Sequence, residues 1–218
     1  MASELFVDKI YPGPNSGTSI SIPSGYKLVG TDTGSVYAPG SVIQVTSVYD
    51  RAQSSYVMDD VGSTGTDYRI GRAGFDLTTL DISITPRSSS SKVLILTNIN
   101  VSPTGAAYGV MRLKRGIGGA TPAFNTTDLW MSTMNAVPGT FAHMGSYVAT
   151  NKDNHLSTPT HFMWLDSPST TSAVTYRFNY MLESDGGTTF YLNRVAFNNN
   201  DYGVTGTVSS VVLMEVAQ

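Results

Sequence analysis

Three histidines and sixteen acidic residues are the side chains of this 218-residue sequence equipped for acid–base or metal chemistry. Asp153-Asn154-His155, with His161 six residues on and His143 upstream, would supply imidazole and carboxylate groups for a metal ion or a proton relay. The spacing fits no metal-site pattern. In a strand from Thr160 to Asp166, His161 projects opposite Phe162 and Trp164, so it lies on the other face or meets an equivalent histidine near a subunit axis. Glycoside hydrolysis needs two carboxylates facing each other across a sugar, one with a raised pKa. The three glutamates, Glu4, Glu183 and Glu215, are far apart; Asp59 and Asp60 are the one adjacent aspartate pair, and neighbours in a strand point to opposite faces. Gly116-Ile117-Gly118-Gly119 follows no strand–helix pattern and reads as a turn, not a phosphate loop. With no cysteine, thiolate metal sites, disulfides and thiol nucleophiles are excluded. The expectation is a protein that is not an enzyme and carries no cofactor or metal.

The elements that would position these groups are strands. Val174, Tyr176, Phe178, Tyr180 and Leu182 alternate with Thr175, Arg177, Asn179, Met181 and Glu183, the period of two of a strand with one buried face. Val42 to Val48 is rich in β-branched residues, Ile82 and Ile84 alternate with polar neighbours, and Val93 to Val101 is an apolar run suited to a central strand. Tyr108 to Arg115, Thr140 to Val148, Thr160 to Asp166, Thr189 to Val195 and Val208 to Val216 complete the set. Turn clusters separate them at Ser102-Pro103-Thr104-Gly105, Gly116 to Gly119, Ser184 to Gly187 and Asn198 to Asp201. No window carries a capped helical stripe; helix is limited to a turn or two around Asp128 to Met134. Many short strands with Gly- and Pro-rich turns at this length predict an all-β, antiparallel, jelly-roll-like β-sandwich over residues 41–218.

Residues 1–40 form a different segment. Leu5, Phe6, Val7, Ile10, Tyr11, Ile20 and Ile22 are spread over short strand-like pieces broken by Pro12-Gly13-Pro14 and Pro23-Ser24-Gly25. Such pieces have too little apolar area to stand alone, and a flexible linker would lack these residues. The segment is therefore expected to be extended and buried by something else, as an anchor and trimerisation segment. Elsewhere, Phe124 to Asn135 holds Trp130, Met131 and Met134 with no strand alternation, which predicts a loop that plugs the sandwich, packs a neighbouring subunit or meets a ligand. Asn199, Asp201 and Tyr202 mix hydrogen-bonding groups with a ring that stacks on a sugar, or form an ordinary polar hairpin tip.

Composition sets the outer limits. Charged residues make up 13% of the chain, about half the usual share, so Ser, Thr, Asn and Gly must cover much of the surface. Net charge is −3 and the one basic cluster is Arg112-Leu113-Lys114-Arg115, which leaves nucleic acid out as the main partner. No stretch approaches the roughly 18 apolar residues of a membrane span, and the first residues have no signal-peptide pattern, so no membrane insertion is expected.

An ordered set of segments adds a family likeness. Ile20-Ser21-Ile22-Pro23-Ser24-Gly25 and Ala38-Pro39-Gly40-Ser41-Val42-Ile43-Gln44-Val45 are followed by Ser83-Ile84-Thr85-Pro86 and Ser90-Ser91-Lys92-Val93-Leu94. Met111 to Arg115, Leu165-Asp166-Ser167-Pro168, Thr171 to Tyr176 and Leu213 to Gln218 continue the order. This set resembles a module of tail-fibre and other virion surface proteins of marine tailed bacteriophages, especially those infecting cyanobacteria. The resemblance implies a homotrimeric virion component assembled in the bacterial cytoplasm. Residues 1–40 would dock on other virion proteins and the sandwich would face out, able to meet a host-surface glycan. Ser54 to Phe75 does not match, and fibres of this type are often longer. The function expected is thus a trimeric surface appendage, a tail fibre, knob or tip mediating host attachment. The alternatives are a capsid decoration or head-fibre protein that stabilises the particle and, from another class, a polysaccharide depolymerase.

Overall fold

A computed structural model describes residues 24–25, 38–57, 75–103, 108–124, 157–183, 189–195 and 206–218. The chain divides into two units, Met1–Tyr37 and Ala38–Gln218. In the first, only Ser24 and Gly25 are described, at a turn where Gly25 has φ 88°. The anchor residues Leu5, Phe6, Val7, Ile10, Tyr11, Ile20 and Ile22 lie outside the described residues.

The second unit is an antiparallel β-sandwich. Its strands are β1 (Val42–Asp50), β2 (Ser54–Val57), β3 (Phe75–Asp76), β4 (Ile82–Ile84), β5 (Lys92–Pro103), β6 (Tyr108–Ile117), β7 (Thr158–Asp166), β8 (Val174–Glu183), β9 (Thr189–Leu192) and β10 (Ser209–Val216). One 3₁₀ turn, Thr78–Leu80, precedes β4. The first sheet has the order β1-β10-β5-β9-β2, with β7 on the other edge of β5; in the second, β8 is flanked by β6 on one side and by β3 and β4 on the other. The pairings β1–β10, β4–β8 and β5–β7 nest inside one another, and the chain alternates between sheets at β1, β4, β5, β6, β7, β8 and β10. A long antiparallel hairpin rolled up in this way is a jelly roll.

Alternation drives the assembly. In β8, Val174, Tyr176, Phe178 and Tyr180 are buried while Thr175 and Arg177 are half-exposed; in β10, Ser209, Val211, Leu213 and Glu215 point inward. These inward rows join Leu77, Leu80, Ile82, Ile95, Ile99, Leu113 and Phe190 in one core between the sheets. Each such side chain contributes about 1.5–3 kcal/mol by leaving water. Tyr180 stacks on Phe190 at 4.4 Å, and burial pushes its phenol pKa upward.

One polar cluster ties the two sheets together and another ties strands within the first sheet. Asp166 on β7 accepts hydrogen bonds from Arg115 Nη1 on β6 at 2.8 Å and from Tyr176 Oη on β8 at 2.6 Å, an ion pair clipping one sheet to the other. Asn193, buried and in the left-handed region at φ 60°, donates to the carbonyls of Asp50 and Ala52 and accepts from Ser209 Oγ, which in turn accepts from Asn100 N–H. That left-handed residue ends β9 at Leu192, short of the Thr189 to Val195 span expected. Strand β5 instead runs past its expected end. Ser102 and Pro103 pair with Tyr191 and Phe190 on β9, so the turn read at Ser102 starts later. Strands β2 and β3 fall within Ser54 to Phe75 and its border, where the sequence offers no clear pattern. The Gly116–Gly119 segment is a turn as expected: Gly118 and Gly119 have φ of 63° and 86°, the backbone of a type I′ hairpin turn closed by Ala120 N–H to Ile117 C=O.

Candidate functional site

The two outward faces of the sandwich have opposite chemistry. On the second sheet, register places Arg112 opposite Asn179 and Lys114 opposite Arg177. Arg112 is 1% exposed, and its Nε and Nη2 both donate to Asn179 Oδ1. Asn179 Nδ2 donates to Asp76 Oδ1 at 2.6 Å, the same oxygen that accepts from Lys114 Nζ at 2.7 Å. Arg177 binds Asp81 through Nε at 2.9 Å and Nη2 at 2.5 Å, and reaches Asp76 Oδ2 at 3.5 Å. The Phe124 ring closes over the grid, 4.6 Å from the Arg112 guanidinium carbon and 4.8 Å from Lys114 Nζ. The strap carrying Phe124 is held by paired hydrogen bonds between Arg115 and Ala123.

Electrostatics follow from this geometry. Burial by itself would raise the Asp76 carboxyl, but hydrogen bonds from Lys114 and Asn179 and the charges of Lys114 and Arg177 outweigh it and hold the pKa below the ordinary value. Burial pulls the Arg112 guanidinium down to about 10, against the opposing charge of Asp76. The hydrogen bond to Asp81 raises Arg177. These cations and carboxylates answer one another; the face is a structural grid.

The first sheet turns a different surface outward. One cross-strand row reads Val45, Met214, Leu94, Leu165 and the next Ser47, Val212, Leu96, Met163, on β1, β10, β5 and β7 in turn. Tyr49, Ser210, Asn98 and His161 form a third row, and Val42, Val216 and Lys92 a fourth. Met163 is 72% exposed, Tyr49 65%, Val45 57%, Val42 52% and Leu165 45%, whereas the same rows on β5 and β10 are half-buried. A sheet with both faces apolar is the pattern of a strand layer covered on two sides, and among the described residues none covers this face. Its chemistry is binding by burial of apolar area.

No protein-family model matches the sequence, and no curated protein does. Among solved structures, the chain is similar to one of infectious bursal disease virus Gt strain, at TM-score 0.43 and 10% identity, covering 91% of this chain and 47% of that one. It is also similar to the infectious bursal disease virus VP2 subviral particle, at TM-score 0.39 and 10% identity, covering 91% of this chain and 46% of that one. The chain spans about half the length of the solved structures it matches.

The loop residues expected to meet a ligand or subunit, Trp130, Met131, Met134, Asn199, Asp201 and Tyr202, lie outside the described residues, as do His143, His155, Asp59 and Asp60. His161 is exposed on β7 and points away from Phe162 and Trp164, which pack toward the core. Glu215 is sealed: it is 0% exposed and accepts from Gln44 Nε2 at 2.6 Å and from Arg87 N–H at 2.7 Å. Among the described residues, no group of three or more His, Cys, Asp or Glu side chains is placed to hold a metal ion, and no helix is long and apolar enough to cross a membrane. Sequence reasoning missed the outward positions Val45, Met163, Leu165 and Met214. The signal was present in Phe162-Met163-Trp164-Leu165 and Val211 to Met214, runs that are apolar on both parities.

Proposed function

We propose that this chain is a structural subunit of a bacteriophage virion, a homotrimeric surface appendage such as a tail fibre, knob or tip that mediates attachment to the host. The observation that carries the reading is the first sheet of the jelly roll, apolar on its outward face across four strands while the opposite face of the sandwich is saturated with ion pairs. A protein working alone in water keeps contiguous apolar patches small; a building part exposes one where its neighbour will sit. The resemblance of the ordered segments to those of phage tail-fibre and virion surface proteins supports this class of assembly. In this reading residues 1–40 dock on other virion proteins, and the host partner is a surface glycan.

The test is done on particles. Antibodies to the sandwich label the particle surface and block adsorption to host cells, and particles lacking the protein adsorb poorly. Unchanged adsorption without the protein defeats the attachment role. Unchanged adsorption combined with many copies per particle and a loss of capsid heat resistance on removal assigns it to capsid decoration instead.

A further inference from the structure

We propose that the outward grid of the second sheet is a covalent modification site, at which Lys114 Nζ displaces the side-chain amide nitrogen of Asn179 and leaves an isopeptide bond between β6 and β8. The inference stands apart from the reading of the chain as a virion part, and its failure leaves that reading untouched.

The groups such a bond requires are an amine, a carboxamide and a carboxylate to carry protons between them, and here they meet at one atom. Asp76 Oδ1 accepts from Lys114 Nζ at 2.7 Å and from Asn179 Nδ2 at 2.6 Å, so the attacking and leaving nitrogens stand within about 5.3 Å of each other. The amide carbon is one bond from the second of them. Strand register sets this up: Lys114 faces Arg177 and Arg112 faces Asn179, which makes Lys114 and Asn179 diagonal neighbours on one face. Diagonal neighbours have Cβ atoms about 7 Å apart, and an extended lysine–asparagine link spans about 7.5 Å between its Cβ atoms by ordinary bond lengths. The bond therefore closes without moving either strand.

The surroundings suit the reaction. Arg112 is buried and aims Nε and Nη2 at Asn179 Oδ1. Two charged donors on that oxygen draw electrons from the amide carbon and hold the negative charge that the oxygen takes up when an amine adds. Asp76, ion-paired with Lys114 and Arg177, is a carboxylate with room for a proton; Arg177 holds its Oδ2 at 3.5 Å and leaves Oδ1 to serve both nitrogens. The Phe124 ring, 4.8 Å from Lys114 Nζ and 4.6 Å from the Arg112 guanidinium carbon, keeps water from that side.

The step balances. The Lys114 ammonium gives a proton to Asp76 Oδ1, and the free amine adds to Asn179 Cγ, forming the new C–N bond. The Asp76 carboxylic acid passes the proton to Nδ2, the Cγ–Nδ2 bond breaks, and the amide is restored between the two side chains. Two of the ammonium protons end on the departing nitrogen, which leaves as ammonium, and Asp76 is a carboxylate again. No oxidant or further reactant takes part. The product closes the loop from Lys114 to Asn179 with a bond that denaturant does not open, in a chain that has no cysteine for a disulfide.

Intact-mass spectrometry of the full chain, as purified and after about a day at about pH 9, tests the inference together with a tryptic digest. The expected mass is about 17 Da below that of the sequence, the mass of one ammonia, and the digest is expected to hold Leu113–Arg115 joined to Phe178–Arg194, with cleavage after Lys114 blocked. Lys114→Arg keeps the positive charge beside Asp76 and is expected to give its full sequence mass and separate peptides; Asp76→Ala is expected to do the same. A parent with the full sequence mass in both samples overturns the inference, and so does a parent about 1 Da heavier at Asn179, which marks hydrolysis of the amide by water. A loss of about 17 Da whose digest leaves the two peptides separate also overturns it, because an asparagine that closes on its own backbone loses the same ammonia. Joined peptides that persist in Asp76→Ala overturn Asp76 as the proton carrier.

Discussion

Arg112, Lys114, Arg177, Asp76 and Asp81 on the second sheet answer one another across strands, with Asn179 relaying between the buried guanidinium and a carboxylate. At the matching outward positions of the first sheet stand Val45, Met214, Leu94 and Leu165, facing solvent. Both faces belong to the same sandwich and are built by the same alternation, yet one is closed chemically and the other is left open. A charged group taken from water must be paired inside the molecule where it stands, because a buried charge without partners costs several kcal/mol. An apolar group imposes no such local requirement and can wait for another surface. The polar face is therefore where stability is to be sought, and the apolar face is the one with area left to bury.

The comparison breaks most easily at Asn179. Asn179→Leu removes the Oδ1 acceptor of Arg112 and a donor to Asp76, and is expected to cost about 3 kcal/mol in urea unfolding; a loss under about 1 kcal/mol means the grid is not what closes that face. Gly116→Ala comes next. Its Cβ would stand 2.1 Å from the Ala120 carbonyl oxygen, so the strap bearing Phe124 must shift, at a cost of about 2 kcal/mol in the same measurement. Acid sharpens the contrast. With its pKa held below the unfolded value of 3.8, Asp76 contributes stability above that value and loses it as pH falls through the lower folded pKa. Urea midpoints between pH 5 and 2 should fall less steeply for Asp76→Asn than for the parent; parallel curves would contradict the ion-pair role. The smallest effect belongs to the open face. Met163→Asp should change the unfolding free energy of the dissociated chain by no more than about 0.5 kcal/mol while weakening association.

Much of this architecture is legible in the sequence, and what is hidden has physical reasons. The Val174 to Glu183 alternation shows β8 directly because one side of that strand meets the core and the other meets water. The apolar run at Val93 to Val101 reads as a central strand, and β5 does lie between β10 and β7. What the run does not reveal is that Leu94 and Leu96 face out, since a sequence with both parities apolar looks the same whether its second cover is its own chain or another. Strands β2 and β3 escape notice because four and two residues are too few to show a period. The basic stretch Arg112 to Arg115 looks like a surface cluster. Its partners Asp76 and Asp166 lie 38 and 51 positions away, beyond what local spacing can display.

The nested pairing also has a kinetic meaning. Strand β10 occupies the slot between β1 and β5, and Gln44 reaches its partner Glu215 across 171 positions. At roughly 5–20 residues per second, a chain leaving the ribosome holds β1 without its neighbour for about 10–30 s. During that interval β5 also lacks the strand that flanks it, with its apolar rows in water. The body therefore folds only after residues 209–216 emerge, as one late event of high contact order, and nascent copies made side by side on one messenger face their greatest risk of clumping just before those residues appear.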